Sequence, residues 1–424
     1  TINTTEYSSF HTLAQSISVN IINNLKEGKY QDVSNNFSSN LKTKLDAIRL
    51  EQTWKSIENA YGAFQGIKSS EEKVTAESTY LLSEMEFKNQ NLDLEIALDE
   101  NNQVSSLLII PAKDKRKWLP PNYGNEKNLV EIDTIVGTEN GLLAKWTKPI
   151  TKSKDYIVVF VHGSGPNDMD GSLGPNKILK DFAFGLANKG IASIRYNKRT
   201  YDYRSDMSSK QNELTIDMEV VDDAKVALKL AKDMGYTKVI LIGHSLGGHM
   251  APKIAKDESV NGVITLAGNS SPLVDLIVPQ FEYLLENDSS SQITPFMVEA
   301  LKVQVKKVQE KDYDETTSAY MLPLSLSGVY WNSFEGYNPA KEAKKQKIPY
   351  LILNGSRDYQ VTVEEANNWK NGNKNKLSKT IIYKDLNHMF FEGKGVLLPK
   401  EYESINHVNA QVILDISNWI KALK

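Results

Sequence analysis

The sequence predicts an α/β protein, a mostly parallel sheet flanked by helices and carrying a helical insertion, with a small α+β domain in front. Three observations predict it. From Leu129 onward, short aliphatic runs alternate with segments of helical spacing, the pattern of strand–helix–strand units. Inside that region, Lys238–Ala251 reads as strand, sharp turn and helix in succession. Residues 1 to about 110 instead place helices first and strands after, the order of an α+β unit. The expected organisation is 1–110 for the front domain, 111–128 for a linker and 129–424 for the second domain, with an insertion at about 270–337.

In the front domain, Phe10, Leu13, Ile17, Ile21, Ile22 and Leu25 recur at helical spacing, and Gly28 ends the run. A second helix is expected from about Leu41 to Ala60, with Leu45, Ile48 and Trp54 on one side. Val74–Phe87, Leu92–Leu98 and Val104–Ile110 then read as three strands separated by polar turns. His11 is the one histidine here, and a partly buried helix position suits it better than chemistry. The linker holds Pro111, Pro120, Pro121 and Gly124, with a solvated basic cluster at Lys113, Lys115, Arg116 and Lys117.

The second domain opens on a hairpin, Leu129–Val136 and Gly141–Thr147. Strands follow at Tyr156–Val161 and Ile191–Tyr196, with a helix from about Lys180 to Asn188 between them. Leu214–Met234 reads as one long amphipathic helix. Val239–Ile242 is β-branched and aliphatic, which suits a strand buried on both faces. Later strands are expected at Gly262–Ala267, Tyr350–Asn354 and Thr380–Tyr383. Between the first two of these lies a long interruption, helical at Pro295–Lys311, of the kind that forms a lid or cap. Most of its aromatics are expected to pack it onto the body. Trp331 and Phe334 are the candidates for contact with a substrate.

Chemistry enters at Gly243-His244-Ser245-Leu246-Gly247, a G-x-S-x-G sequence between strand and helix. The pentapeptide alone is a weak signal; its strand–turn–helix context strengthens it, because the turn presents the serine at its tip. Serine needs an imidazole to take its proton and a carboxylate to orient that imidazole. In an open α/β sheet such groups gather at the carboxyl ends of strands. Two later strands end suitably, one running into Asp358 and the other into His388. Asp385 and Glu364 remain alternatives for the acid, and Asp358 could instead cap the helix near Val363. His244, His249 and His407 compete with His388, although His244 and His249 flank the serine without following a strand as a base should and His407 sits in the C-terminal helical region. Val161-His162-Gly163-Ser164-Gly165-Pro166 follows a buried strand and offers backbone N–H groups to a developing oxyanion. The N–H groups of Ser164 and Leu246 are the expected donors. His162 is expected to brace the loop, and no phosphate-binding glycine motif accompanies it.

These motifs carry a resemblance. HGSGPND, GHSLGG, LNGSRDYQV and LNHMF, with the preceding WLPPNY, resemble the α/β-hydrolase superfamily over residues 111–424. Within it, the chain resembles bacterial two-domain carboxylesterases akin to dienelactone-hydrolase-like and acyl-peptidase-like enzymes. The front domain, through Phe37, Trp54, Gly62 and its strand pattern, resembles a domain of unknown function with a cystatin-like or nuclear-transport-factor-like fold. The resemblance implies Ser245 as nucleophile, His388 as base, Asp358 as orienting acid, and the Ser164 and Leu246 N–H groups as oxyanion donors. It implies hydrolysis of a small-molecule carboxylic ester, with a peptidase or amidase as the alternative and a catalytically dead binding protein ranked below both. One departure stands out: relatives commonly carry Asp-x-Arg-Gly where this chain reads Asn197-Lys198-Arg199-Thr200-Tyr201. That loop borders the acyl or leaving-group side, so substrate preference does not transfer.

Composition excludes other classes. At 424 residues, 40% hydrophobic and 24% charged, the chain can bury a sizeable core. A formal net charge of −3 argues against a nucleic-acid surface. With no cysteine, disulfides, thiolate catalysis and zinc–cysteine sites are ruled out. The six histidines lack H-x-x-x-H spacing, so neither a metal nor another cofactor is expected. No apolar run approaches the ~18–20 residues that span a bilayer. The absence of cysteine does not decide the compartment, though it fits secretion from bacteria that avoid disulfides; secretion or the cell surface is expected, with the cytoplasm as alternative. The chain opens at Thr1, as expected of a trimmed or mature form, and a removed leader stays open. Oligomeric state leaves no mark in the sequence.

Overall fold

The computed structural model describes residues 4–112, 116–151, 154–256, 258–369 and 374–423, with side chains described from residue 15 onward except at 79. The chain divides into two compact units, Thr1–Lys115 and Arg116–Lys424.

In the first unit a helix at Thr4–Lys26 ends before Gly28, whose φ of 71° reverses the chain. The side chains of Phe10, His11 and Leu13, and residues 113–115 of the basic cluster, lie outside the described residues. The single helix expected over Leu41–Ala60 is two, Ser39–Lys44 and Ala47–Tyr61. Asp46 splits them: its side chain accepts from the Arg49 N–H at 2.8 Å and caps the second helix. Trp54 is buried by Phe64 and Phe87, but Ile48 faces solvent, against expectation. The sheet is antiparallel with four strands in sequential order, Phe64–Val74, Thr79–Phe87, Asn91–Leu98 and Val104–Pro111. The sequence pattern does not predict the first strand, because it is a polar edge, Gln65 to Lys73, with no strong alternation.

In the second unit an eight-stranded sheet runs, edge to edge, Lys379–Tyr383, Tyr350–Gly355, Gly262–Leu266, Lys238–His244, Tyr156–Val161, Ala192–Tyr196, Leu142–Pro149 and Leu129–Val136. From Ala192–Tyr196 to Lys379–Tyr383 the strands are parallel, and the opening hairpin adds two antiparallel strands at the other edge. Strand periodicity divides the core. Ile157, Val159, Val161, Val239 and Leu241 face one buried cluster, with helices Asp222–Asp233 and Leu246–Ala255 over it. Val158, Phe160, Ile240 and Ile242 face the opposite cluster, with Ile178–Ala187 and Ala410–Ala422 over it.

The long helix expected over Leu214–Met234 opens instead with a π-helical turn, Asp217–Val221, before the α-helix. The interruption between Leu266 and Tyr350 is a helical insertion, with helices at Ile277–Asn287, Pro295–Gln309 and Gly328–Asn332 around its own apolar cluster.

Candidate active site

Ser245 sits where the central strand turns into the helix Leu246–Ala255, with φ 52° and ψ −117°. A non-glycine residue in that region costs on the order of 1–3 kcal/mol, so its surroundings must hold it there. The Ser245 N–H donates to the Leu266 carbonyl at 2.8 Å, and the His249 N–H donates to the Ser245 carbonyl at 2.9 Å. The flanking glycines leave the space. A Cβ on Gly243 would lie 2.2 Å from the Gly247 carbonyl oxygen, and one on Gly247 would lie 2.4 Å from that of Val161.

Asp358 and His388 meet from the ends of the two adjoining strands. His388 Nδ1 lies 2.6 Å from Asp358 Oδ2, and both residues are buried. The carboxylate therefore accepts a hydrogen bond from Nδ1–H and leaves Nε2 as the acceptor. The other carboxylate oxygen accepts from the Gln360 and Val361 N–H groups at 2.8 and 2.9 Å. Asp358 thus does not cap the helix that starts at Val363, whose N-cap position is held by Thr362. Asp385 and Glu364 are exposed. Of the rival histidines, His244 donates from Nε2 to the His388 carbonyl at 3.1 Å, bracing the loop that carries His388. His249 bonds the Asn269 carbonyl at 3.0 Å, and His407 bonds Asp181 at 3.1 Å. Burial pushes His244 down to about 3 and His249 down to about 4, so both are neutral at ordinary pH.

Ser164, Ser245, Leu246 and His388 line one cavity of about 580 Å³, and Asp358 lies behind His388. The 162–166 loop approaches the serine closely: a Cβ on Gly163 would come within 3.2 Å of the Ser245 Cβ. Asn167 Nδ2 gathers the loop by donating to the carbonyls of Gly163, Ser164 and Gly165 at 3.2, 2.9 and 3.1 Å. His162 is buried with its ring edge-on to Tyr196, and burial followed by the nearby Lys198 charge pushes it down to about 3. The insertion supplies much of the apolar wall, including Leu273, Leu276, Ile277 and Leu326.

Trp331 and Phe334 require a correction, because they do not line this cavity. They face a second one of about 360 Å³ inside the insertion, together with Tyr313 and Tyr337, and their rings pack 6.2 Å apart. Their neighbour Tyr330 reaches the cavity of Ser245 instead, since successive helix positions point about 100° apart. Tyr330 donates to Glu219 Oε2 at 2.6 Å, and burial beside that carboxylate pushes the phenol well above its ordinary value. Lys198 pairs with the other Glu219 oxygen. Sequence reasoning assigned none of these three a role: Glu219 is one polar position in an amphipathic helix, and Lys198 registers only within the departure at 197–201. Among the described residues no group of three or more His, Cys, Asp or Glu side chains is placed to hold a metal ion. No helix among them is long and apolar enough to cross a membrane.

The parallel sheet, the strained serine turn and the buried His–Asp pair define an α/β hydrolase. Residues 18–107 match a family described as a protein of unknown function, DUF3887. Esterase EstD of Thermotoga maritima is 31% identical over 403 residues, which is 94% of this chain and 93% of EstD. The chain belongs to the α/β-hydrolase esterase family that includes EstD, and it is a hydrolase. Solved structures give more distant likenesses. A Pyrococcus furiosus esterase matches at 16% identity and TM-score 0.45, over 74% of this chain and 97% of its own. A Mycobacterium tuberculosis puromycin-hydrolyzing peptidase matches at 13% and 0.43, over 81% of this chain and 46% of its own.

Proposed function

We propose that the protein is a serine carboxylesterase working through an acyl-enzyme intermediate. His388 Nε2 takes the Ser245 hydroxyl proton as Oγ attacks the ester carbonyl. The Ser164 and Leu246 N–H groups receive the negative charge on the carbonyl oxygen. Collapse expels the alcohol, which leaves with the proton from His388. Water then repeats the sequence on the acyl-enzyme, releasing the acid and restoring Ser245. The observation that carries this reading is the 2.6 Å His388–Asp358 contact beside a cavity that also exposes the strained serine.

The cavity's volume and its apolar wall, Leu179, Leu276, Ile277, Leu326 and Met389 among others, favour short-to-medium acyl groups, with the insertion serving as a cap. The relative's name favours an ester over an amide. Ser245→Ala is expected to abolish turnover of p-nitrophenyl esters while the circular dichroism spectrum and melting transition are retained. Parallel assay of a peptide anilide should show far slower cleavage by the unaltered enzyme. Persistent esterase activity in the variant would move the nucleophile elsewhere.

A further inference from the structure

We propose that Lys198 is a positioning residue for the oxyanion site, and that Glu219 and Tyr330 link it to the helical insertion. The inference rests on the proposed acyl-enzyme reading, in which Ser245 attacks and the Ser164 N–H receives the oxyanion. Lys198 is 3% exposed and Glu219 7%, so an ammonium and a carboxylate are both held out of water. Such a pair is weak evidence for stability, because desolvation offsets most of the attraction. What it touches suggests its use.

Lys198 Nζ donates to the Gly163 carbonyl at 3.0 Å and to Glu219 Oε1. The Gly163 carbonyl and the Ser164 N–H are the two ends of one planar peptide group. Fixing the oxygen fixes the direction of the N–H, and polarising the carbonyl makes that N–H a stronger donor. Asn167 already ties the loop's three carbonyls together, and the Lys198 N–H donates to the Asn167 carbonyl at 3.0 Å. The side chain of Lys198 adds something Asn167 cannot, a full positive charge one peptide unit from the developing negative charge.

The far end of the chain of contacts lies in the insertion. Glu219 stands in the π-helical turn Asp217–Val221, a local irregularity that often marks functional sites. Its second oxygen accepts from Tyr330 Oη at 2.6 Å, and Tyr330 belongs to the insertion helix Gly328–Asn332. Glu219 and Tyr330 both line the cavity that Ser245 lines. A substrate filling that cavity therefore meets the chain of hydrogen bonds that ends on the oxyanion peptide, and seating of the insertion sets the aim of the donor.

The test uses the full chain. Lys198→Met alone would strand a buried carboxylate, so the informative variant is Lys198→Met with Glu219→Gln. Turnover of p-nitrophenyl butyrate and inhibition by a trifluoromethyl ketone, which forms a tetrahedral adduct with an anionic oxygen, are measured together. Removing a direct oxyanion donor costs about 10²–10³ in rate, so loss of its support is expected to lower kcat about 10–100-fold, with KM changed less than about threefold. The ketone's inhibition constant should rise by the same factor as kcat falls. Tyr330→Phe should lower kcat about 3–10-fold. A folded double variant with unaltered kcat, or with lowered kcat and unaltered ketone affinity, overturns the proposal. If the double variant does not fold, Tyr330→Phe decides, and an unchanged kcat there overturns it. Failure of the underlying reading looks different: the unaltered enzyme would then form no ketone adduct on Ser245.

Discussion

At the scale of residues, the proposed chemistry rests on two residues in unusual states, one of backbone and one of side chain. Ser245 holds a positive φ of 52°, and Asp358 is buried with each carboxylate oxygen engaged, one by His388 and the other by two backbone N–H groups. Those N–H groups fix the carboxylate, so the carboxylate can fix the ring. Asp358→Asn keeps nearly the same shape and offers its amide oxygen or amide nitrogen to His388. With the nitrogen presented, His388 Nδ1 becomes the acceptor and Nε2 carries the proton, the wrong tautomer to deprotonate serine. The expected result is a loss of about 10³–10⁴ in kcat, with little change in melting temperature. Steady-state kinetics on the purified variant check it, and activity within tenfold of the unaltered enzyme would assign the orienting role elsewhere.

At the scale of elements, the turn after the central strand depends on bare backbone. Gly247 passes so near the next strand's loop that an added Cβ would lie 2.4 and 2.6 Å from the Val161 and His162 carbonyl oxygens. Gly247→Ala must push that loop away, and the same loop carries Ser164. We expect a loss of about 1–3 kcal/mol in stability together with at least a tenfold fall in kcat. Urea unfolding and ester kinetics on one preparation test both parts, and unchanged values would mean the loop yields freely. The elbow, the parallel strands and the residues at their carboxyl ends were legible in the sequence because each is local: an aliphatic run, a glycine, a polar residue just past a strand. What was not legible depended on long-range contact. The first edge strand, Phe64–Val74, has a polar sequence and becomes a strand by pairing with Thr79–Phe87. Helix phase within the insertion decided that Tyr330, rather than Trp331 or Phe334, reaches Ser245's cavity. The Lys198–Glu219 contact joins positions 21 residues apart on different elements, and no periodicity announces it.

At the scale of the whole molecule, three buried histidines tie the fold to pH. His162 and His244 are pushed down to about 3 and His249 to about 4, chiefly by burial. The unfolded chain protonates all three near 6.5. Below that value the unfolded state binds protons the folded state refuses, so stability rises with pH between about 4 and 6.5 and levels off above. Each histidine contributes on the order of 2 kcal/mol of lost stability at pH 5 relative to pH 7.5. Urea midpoints are expected to hold steady from pH 8 to 7 and fall steadily from 6.5 to 5. A midpoint that stayed level or rose on acidification to pH 5 would contradict the buried neutral state of these rings.

The central claim is that Ser245 carries the acyl group between two half-reactions. Acid quenching of the enzyme during turnover of a slowly deacylated p-nitrophenyl ester, followed by peptide mass spectrometry, reads this directly. The account predicts one acyl adduct, on the peptide containing Ser245, formed with a stoichiometric burst of p-nitrophenol and absent from Ser245→Ala. An adduct on another residue, or steady turnover with no adduct and no burst under conditions where deacylation limits the rate, would contradict it.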